Sequence, residues 1–96
     1  MLNHYVMFRL KPECRHELPE VVKRLKALQS QVPAIRSSEV VVNDIAAPNS
    51  YDVLFHIRVD DEKAFKKDYM LHPAHVPAQK YIEARVCGIA DIDSLA

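Results

Sequence analysis

The sequence predicts an α+β fold of the ferredoxin-like kind, an antiparallel sheet with two helices on one face, in the order strand, helix, strand, strand, helix, strand (βαββαβ). Three observations carry this prediction. Leu2–Leu10 and Tyr51–Val59 alternate apolar and polar residues with the period of a strand, and Leu18, Val21, Val22, Leu25 and Leu28 recur with the spacing of one helical face. Between them, the β-branched run Val40, Val41 and Val42 marks another strand. At 96 residues the chain has the size of one domain, expected to span 1–96.

Taken in order, the first strand sets His4, Val6, Phe8 and Leu10 on one side and Tyr5, Met7 and Arg9 on the other. Lys11-Pro12 breaks it. The first helix tolerates Pro19 only in its opening turn and stops before Val32-Pro33. Ile35–Asn43 reads as the second strand, and the small and polar residues Ala46–Ser50 around Pro48 turn the chain into Tyr51–Val59, so these two strands pair as a hairpin. Asp60 or Asp61 can cap a second helix through Ala64, Phe65 and Tyr69, because a carboxylate there accepts free N–H groups of the first turn. Pro73 biases His72 away from helical geometry and suits the start of a new helix, so His72-Pro73 is a kink between two helical pieces. Arg85–Asp93 supplies the last strand.

Composition excludes several functions. Lys plus Arg equals Asp plus Glu at 13 each, which gives no positive field for nucleic acid or an anionic membrane. RNA-binding sheets of this kind use exposed aromatics within a basic surface, and the charge balance and the lack of an RNP-like run argue against that role. No run approaches the roughly 20 apolar residues of a membrane span, and the N-terminus lacks the apolar core of a secretory signal. Cys14 and Cys87 show no metal or redox spacing and read as free thiols of a cytoplasmic protein. Gly88 is the single glycine, which rules out Gly-rich phosphate loops.

If the side bearing His4, Val6, Phe8 and the Val53, Phe55, Ile57 row faces the helices, Tyr5, Met7 and Leu54 remain outside, mixed with Arg9, His56 and Arg58. Such a half-apolar face favours a partner sheet, and a homodimer through it is expected.

His4-Tyr5-Val6-Met7-Phe8-Arg9-Leu10-Lys11-Pro12 resembles the opening strand of the stress-responsive A/B barrel (Dabb) family. Val32-Pro33-Ala34-Ile35 is similar to the end of that family's first helix and Tyr51-Asp52-Val53 to its third-strand entry. Phe65 to His75, FKKDYMLHPAH, resembles its most characteristic stretch, Tyr-x-x-His-Pro-x-His. Ala34 stands where many relatives carry glycine. The resemblance implies a dimer whose two sheets close into an α+β barrel, with a pocket in each subunit between sheet and helices.

Tyr69, His72 and His75 form the constellation that suggests chemistry. In the first turn of a helix restarting at Pro73, His75 meets unpaired N–H groups and a dipole that disfavour a positive imidazole, so its pKa is expected to fall. A neutral imidazole is ready to act as a general base, with Tyr69 donating a hydrogen bond to a carbonyl oxygen. Together they can take a proton next to a carbonyl and steady the enolate, the step of aldol or cyclisation chemistry. The family's plant polyketide cyclases resemble this arrangement, and the carry-over falls on Tyr69 and His75. His4, Phe8, Phe65 and His72 are expected in the pocket wall, with His72 also bracing the kink. Two imidazoles without a third ligand make an incomplete metal shell, so neither metal nor organic cofactor is expected.

A dimeric protein binding a small apolar molecule is therefore the first functional reading. A cofactor-independent cyclase or aldol-type enzyme using His75 and Tyr69 is the alternative. A cofactor-independent monooxygenase is a third, by analogy of architecture, and the lack of tryptophan counts against it.

Overall fold

The structure, a computed structural model, describes residues 1–95, and Ala96, the end of the expected domain, lies outside the described residues. Four strands, β1 (Leu2–Leu10), β2 (Ser37–Val42), β3 (Val53–Val59) and β4 (Val86–Ser94), form one antiparallel sheet in the order β2-β3-β1-β4. Helix α1 (Leu18–Gln31) joins β1 to β2, and helix α2 (His75–Glu83) precedes β4. This is the ferredoxin-like α+β class that the residue periodicities predict.

The core follows from those periodicities. β1 buries Leu2, His4 and Val6, β3 buries Val53, Phe55, Ile57 and Val59, and Val21, Leu25 and Leu28 of α1 with Ala78 and Ile82 of α2 close over them. Each fully buried aliphatic side chain contributes about 1.5–3 kcal/mol. Pro19 sits in the first turn of α1, where its missing N–H has no helical partner to lose. The helix ends as Val32 donates its N–H to the Leu28 carbonyl at 2.8 Å, and Pro33 follows.

Several local expectations change. A 3-10 stretch, Pro12–Glu17, precedes α1. β2 is shorter at both ends than Ile35–Asn43, because Ile35 is drawn into the core. β3 begins at Val53 rather than Tyr51. Asp52, expected among the outward polar residues, is buried: its carboxylate accepts the Leu10 N–H at 2.8 Å and a hydrogen bond from Arg15 at 2.7 Å. β4 runs one residue later than expected, to Ser94.

Asp61 starts the second helical region by accepting the Ala64 N–H at 2.8 Å. The backbone from Ala64 to Tyr69 then widens into a π-helical turn, closed by the Met70 N–H on the Phe65 carbonyl five residues back at 3.0 Å. Such turns are rare and frequent at functional sites.

Strand pairing puts Val41, Leu54, Met7 and Ala90 in one row of the outer sheet face and Glu39, His56, Tyr5 and Ile92 in the next. His56, expected as a plain surface side chain, is half-buried and stacks on Tyr5 at 4.2 Å between ring centroids. Among the described residues, no helix is long and apolar enough to cross a membrane.

Candidate functional site

A cavity of about 240 Å³ lies between the inner face of the sheet and the two helical layers. Val6, Phe8, Phe55, Leu25, Leu28 and Ile82 make its apolar wall, Phe65, Tyr69 and Met70 enter from the π-helical turn, and His75 enters from the first residue of α2. Ile89, Asp91 and Asp93 complete it from β4, the edge strand. The volume suits a molecule of one aromatic ring with a short substituent.

Four rings pack together in this cavity, with His4 and Tyr69 6.4 Å apart between centroids. The His75 and Tyr69 centroids are 4.3 Å apart, Tyr69 and Phe65 are 5.7 Å apart, and Phe65 and His4 are 4.7 Å apart. The fold brings together His75, Tyr69, His4, Phe65 and Phe8, all of which the sequence places at the pocket.

His72 does not join them. It lies outside the cavity, on a surface depression with Pro73 and Leu71, and its Nδ1 accepts the Ala74 N–H at 3.0 Å. The pocket-wall expectation for His72 is corrected on this geometry, since a ring turned back to hold its own backbone cannot also face the cavity. Its bracing has a consequence one turn away. In an unbroken helix the Ala74 N–H would bond the Met70 carbonyl. With Ala74 held by His72, the Met70 oxygen instead receives the His75 ring, Nδ1 to O, at 3.0 Å.

That hydrogen bond fixes the imidazole. A carbonyl only accepts, so Nδ1 carries the proton, and in the neutral ring the lone pair is on Nε2. Nε2 has no hydrogen-bond partner among the described residues. Burial pushes the His75 pKa below the ordinary 6.5; the Met70 hydrogen bond and the Glu83 charge oppose this, and His4 and His72 assist it. The direction is the one expected, but desolvation rather than the helix N-terminus is its main cause. Tyr69 is 3% exposed, its hydroxyl has no partner among the described residues, and burial raises its pKa far above the usual tyrosine range. It is therefore a neutral donor. A neutral base and a neutral donor, the His75 Nε2 and the Tyr69 hydroxyl without protein partners among the described residues, share one wall of a largely apolar cavity.

Sequence reasoning missed the polar rim. Asp93 hydrogen-bonds His4 Nδ1, and a ring nitrogen of His4 and carboxylate oxygens of Asp91 and Asp93 all lie within 4.8 Å of one another. One imidazole and two carboxylates are the oxygen-rich donors that suit Mg²⁺ or Mn²⁺, although the two carboxylates are exposed and three ligands form only part of a shell. The available signal was alternation: Asp91 and Asp93 share the strand face of Ile89.

Fold and site together define a ferredoxin-like α+β protein with a buried Tyr–His pair in a cavity between sheet and helices. The chain belongs to the stress responsive A/B barrel domain (Dabb) family, whose model matches residues 2–94. No curated protein matches the sequence. Among solved structures, one from Arabidopsis thaliana is similar at a TM-score of 0.84 and 17% identity, covering 100% of this chain and 95% of that one. A dimeric ferredoxin-like protein from Thermobifida fusca has a TM-score of 0.84 and 20% identity over 97% of this chain and 88% of its own. The hydroxynitrile lyase of Passiflora edulis has a TM-score of 0.83 and 11% identity over 97% and 90%. At these identities the likeness is one of fold.

Proposed function

We propose that the protein is a homodimer that binds a small, largely apolar carbonyl compound in the cavity of each subunit and promotes proton transfer next to the carbonyl. His75 Nε2 takes the proton from the α-carbon, the C–H electron pair moves into the enolate, and Tyr69 O–H donates a hydrogen bond to the enolate oxygen. Returning the proton to the carbon completes an exchange; in an aldol step the enolate carbon attacks a second carbonyl, whose C=O π electrons move onto its oxygen, and the protonated His75 gives its proton to that alkoxide. The observation that carries this reading is the pair of partnerless polar atoms, His75 Nε2 and the Tyr69 hydroxyl, on two nearly buried residues of one cavity. The half-apolar outer sheet face and the dimeric description of the Thermobifida fusca neighbour support the homodimer. The free thiols Cys14 and Cys87 suit a cytoplasmic setting.

The test is hydrogen–deuterium exchange at the methyl group of acetophenone in D₂O, followed by NMR. The wild type is expected to accelerate exchange, His75→Ala to fall to the buffer rate, and Tyr69→Phe to lose about 10- to 100-fold. Saturation transfer from protein to acetophenone without accelerated exchange would leave a binding protein and remove the catalytic role.

A further inference from the structure

The chain carries equal numbers of acidic and basic side chains, yet among the described residues no Lys or Arg lines the cavity. Its carboxylates are three: Glu83 at the end of α2, and Asp91 and Asp93 on β4. Among the described residues only Asp93 has a partner, His4, while Glu83 and Asp91 form neither a hydrogen bond nor an ion pair. Even with His4 counted as fully positive, two negative charges remain at the rim. Burial holds His75, the other imidazole of the cavity, toward its neutral form. The cavity therefore combines a buried, neutral Tyr–His pair with a set of carboxylates that no lysine or arginine among the described residues offsets, and His4, the partner of Asp93, is 6.4 Å from the Tyr69 ring between centroids. That the space receives a ligand has independent support in the Tyr69 hydroxyl, which is without a protein partner on a residue 3% exposed.

We infer that the cavity selects carbonyl compounds that also bear a cationic group, an ammonium in particular, and rejects carboxylates. The inference rests on the reading that the cavity binds a small carbonyl compound, and it names the class. An ammonium places its donors toward Asp91, Asp93 and Glu83 and keeps its apolar body against Phe8, Phe65 and Leu28. A carboxylate in the same place meets a net negative rim and finds no lysine or arginine among the described residues to receive it. Inward-pointing charges also protect the edges of sheets from pairing, but that role alone leaves ligand preference unchanged.

Three para-substituted acetophenones separate these cases: 4-(aminomethyl)acetophenone, 4-(hydroxymethyl)acetophenone and 4-acetylbenzoate, each titrated by calorimetry at pH 7.5 and low salt with a chelator present. The ammonium probe is expected to bind at least about fivefold tighter than the hydroxymethyl probe, the effect of one unit-charge attraction across about 4 Å of water. The carboxylate is expected to bind weakest. In Asp91→Asn/Asp93→Asn the gap should fall to about twofold or less, and in the wild type it should shrink at about 0.5 M salt, a readout that stands even if the double variant fails to fold. Binding of all three with no order of charge overturns this inference and leaves the cavity reading intact. No binding of any of them overturns both.

Discussion

His75 shows how one residue's surroundings become a pH dependence. Its folded pKa lies below 6.5 because burial penalises the charged ring. The unfolded chain therefore takes up this proton first as pH falls. Stability associated with His75 is fully present above the unfolded value, falls as pH drops through 6.5 toward the folded value, and then levels off. Urea unfolding at pH 7.5, 6.5 and 5.5 is expected to show this loss in the wild type and a smaller one in His75→Gln; parallel curves would contradict the burial argument. The exchange rate on acetophenone should follow the same proton, rising with pH through the depressed value and flat by neutrality. Tyr69 and His75 were legible in sequence because Tyr-x-x-His-Pro-x-His places a proline between two ionisable rings. The exchange of partners that sets His75, with Ala74 bound to His72 and Met70 to the ring, was not, because it depends on which carbonyl the break leaves free.

At the level of elements, Asp52 joins three parts of the chain. Its carboxylate, at the entry to β3, receives the last N–H of β1 and the guanidinium of Arg15. Alternation alone placed it outside, since the pattern cannot register that the strand begins two residues later, at Val53. Asp52→Ala leaves the buried Leu10 N–H without an acceptor and is expected to cost about 2–4 kcal/mol, whereas Arg15, more than half exposed, can turn to water. Chemical denaturation would measure it, and a loss below about 0.5 kcal/mol would show that water replaces the carboxylate. On the other side of the fold, Glu17, Tyr81 and Arg85 clasp the start of α1 to α2: Arg85 donates to Glu17 at 2.8 Å and stacks on the Tyr81 ring at 3.7 Å. The Glu17 carboxyl is held below the usual carboxylate range, chiefly by that hydrogen bond. This clasp keeps α2, and with it His75, over the sheet.

For the whole molecule, the decisive surface is the outer face of the sheet. Val41, Met7 and Ile92, at 44%, 37% and 68% exposure, leave apolar surface on the face through which we propose that the homodimer forms. Leu54 lies in the middle of it, paired with both Met7 and Val41. Leu54→Glu is expected to give monomers by light scattering while retaining the far-ultraviolet circular dichroism of the wild type, because the substitution charges the outer face and leaves the core row untouched. A dimer unchanged in mass would place the interface elsewhere.

The periodicities of the sequence determined the order of strands and helices and the inner and outer faces of β1 and β3. Those features follow from local spacing, because a strand repeats every two residues and a helix every 3.6. Tertiary structure alone decided the rest. It brought β4 beside β1, which set Asp93 against His4 and placed Asp91 and Glu83 at the same opening. It also turned His72 away from the cavity and drew Asp52 inward. Each of these depends on contacts between distant parts of the chain, which residue spacing does not encode and packing does.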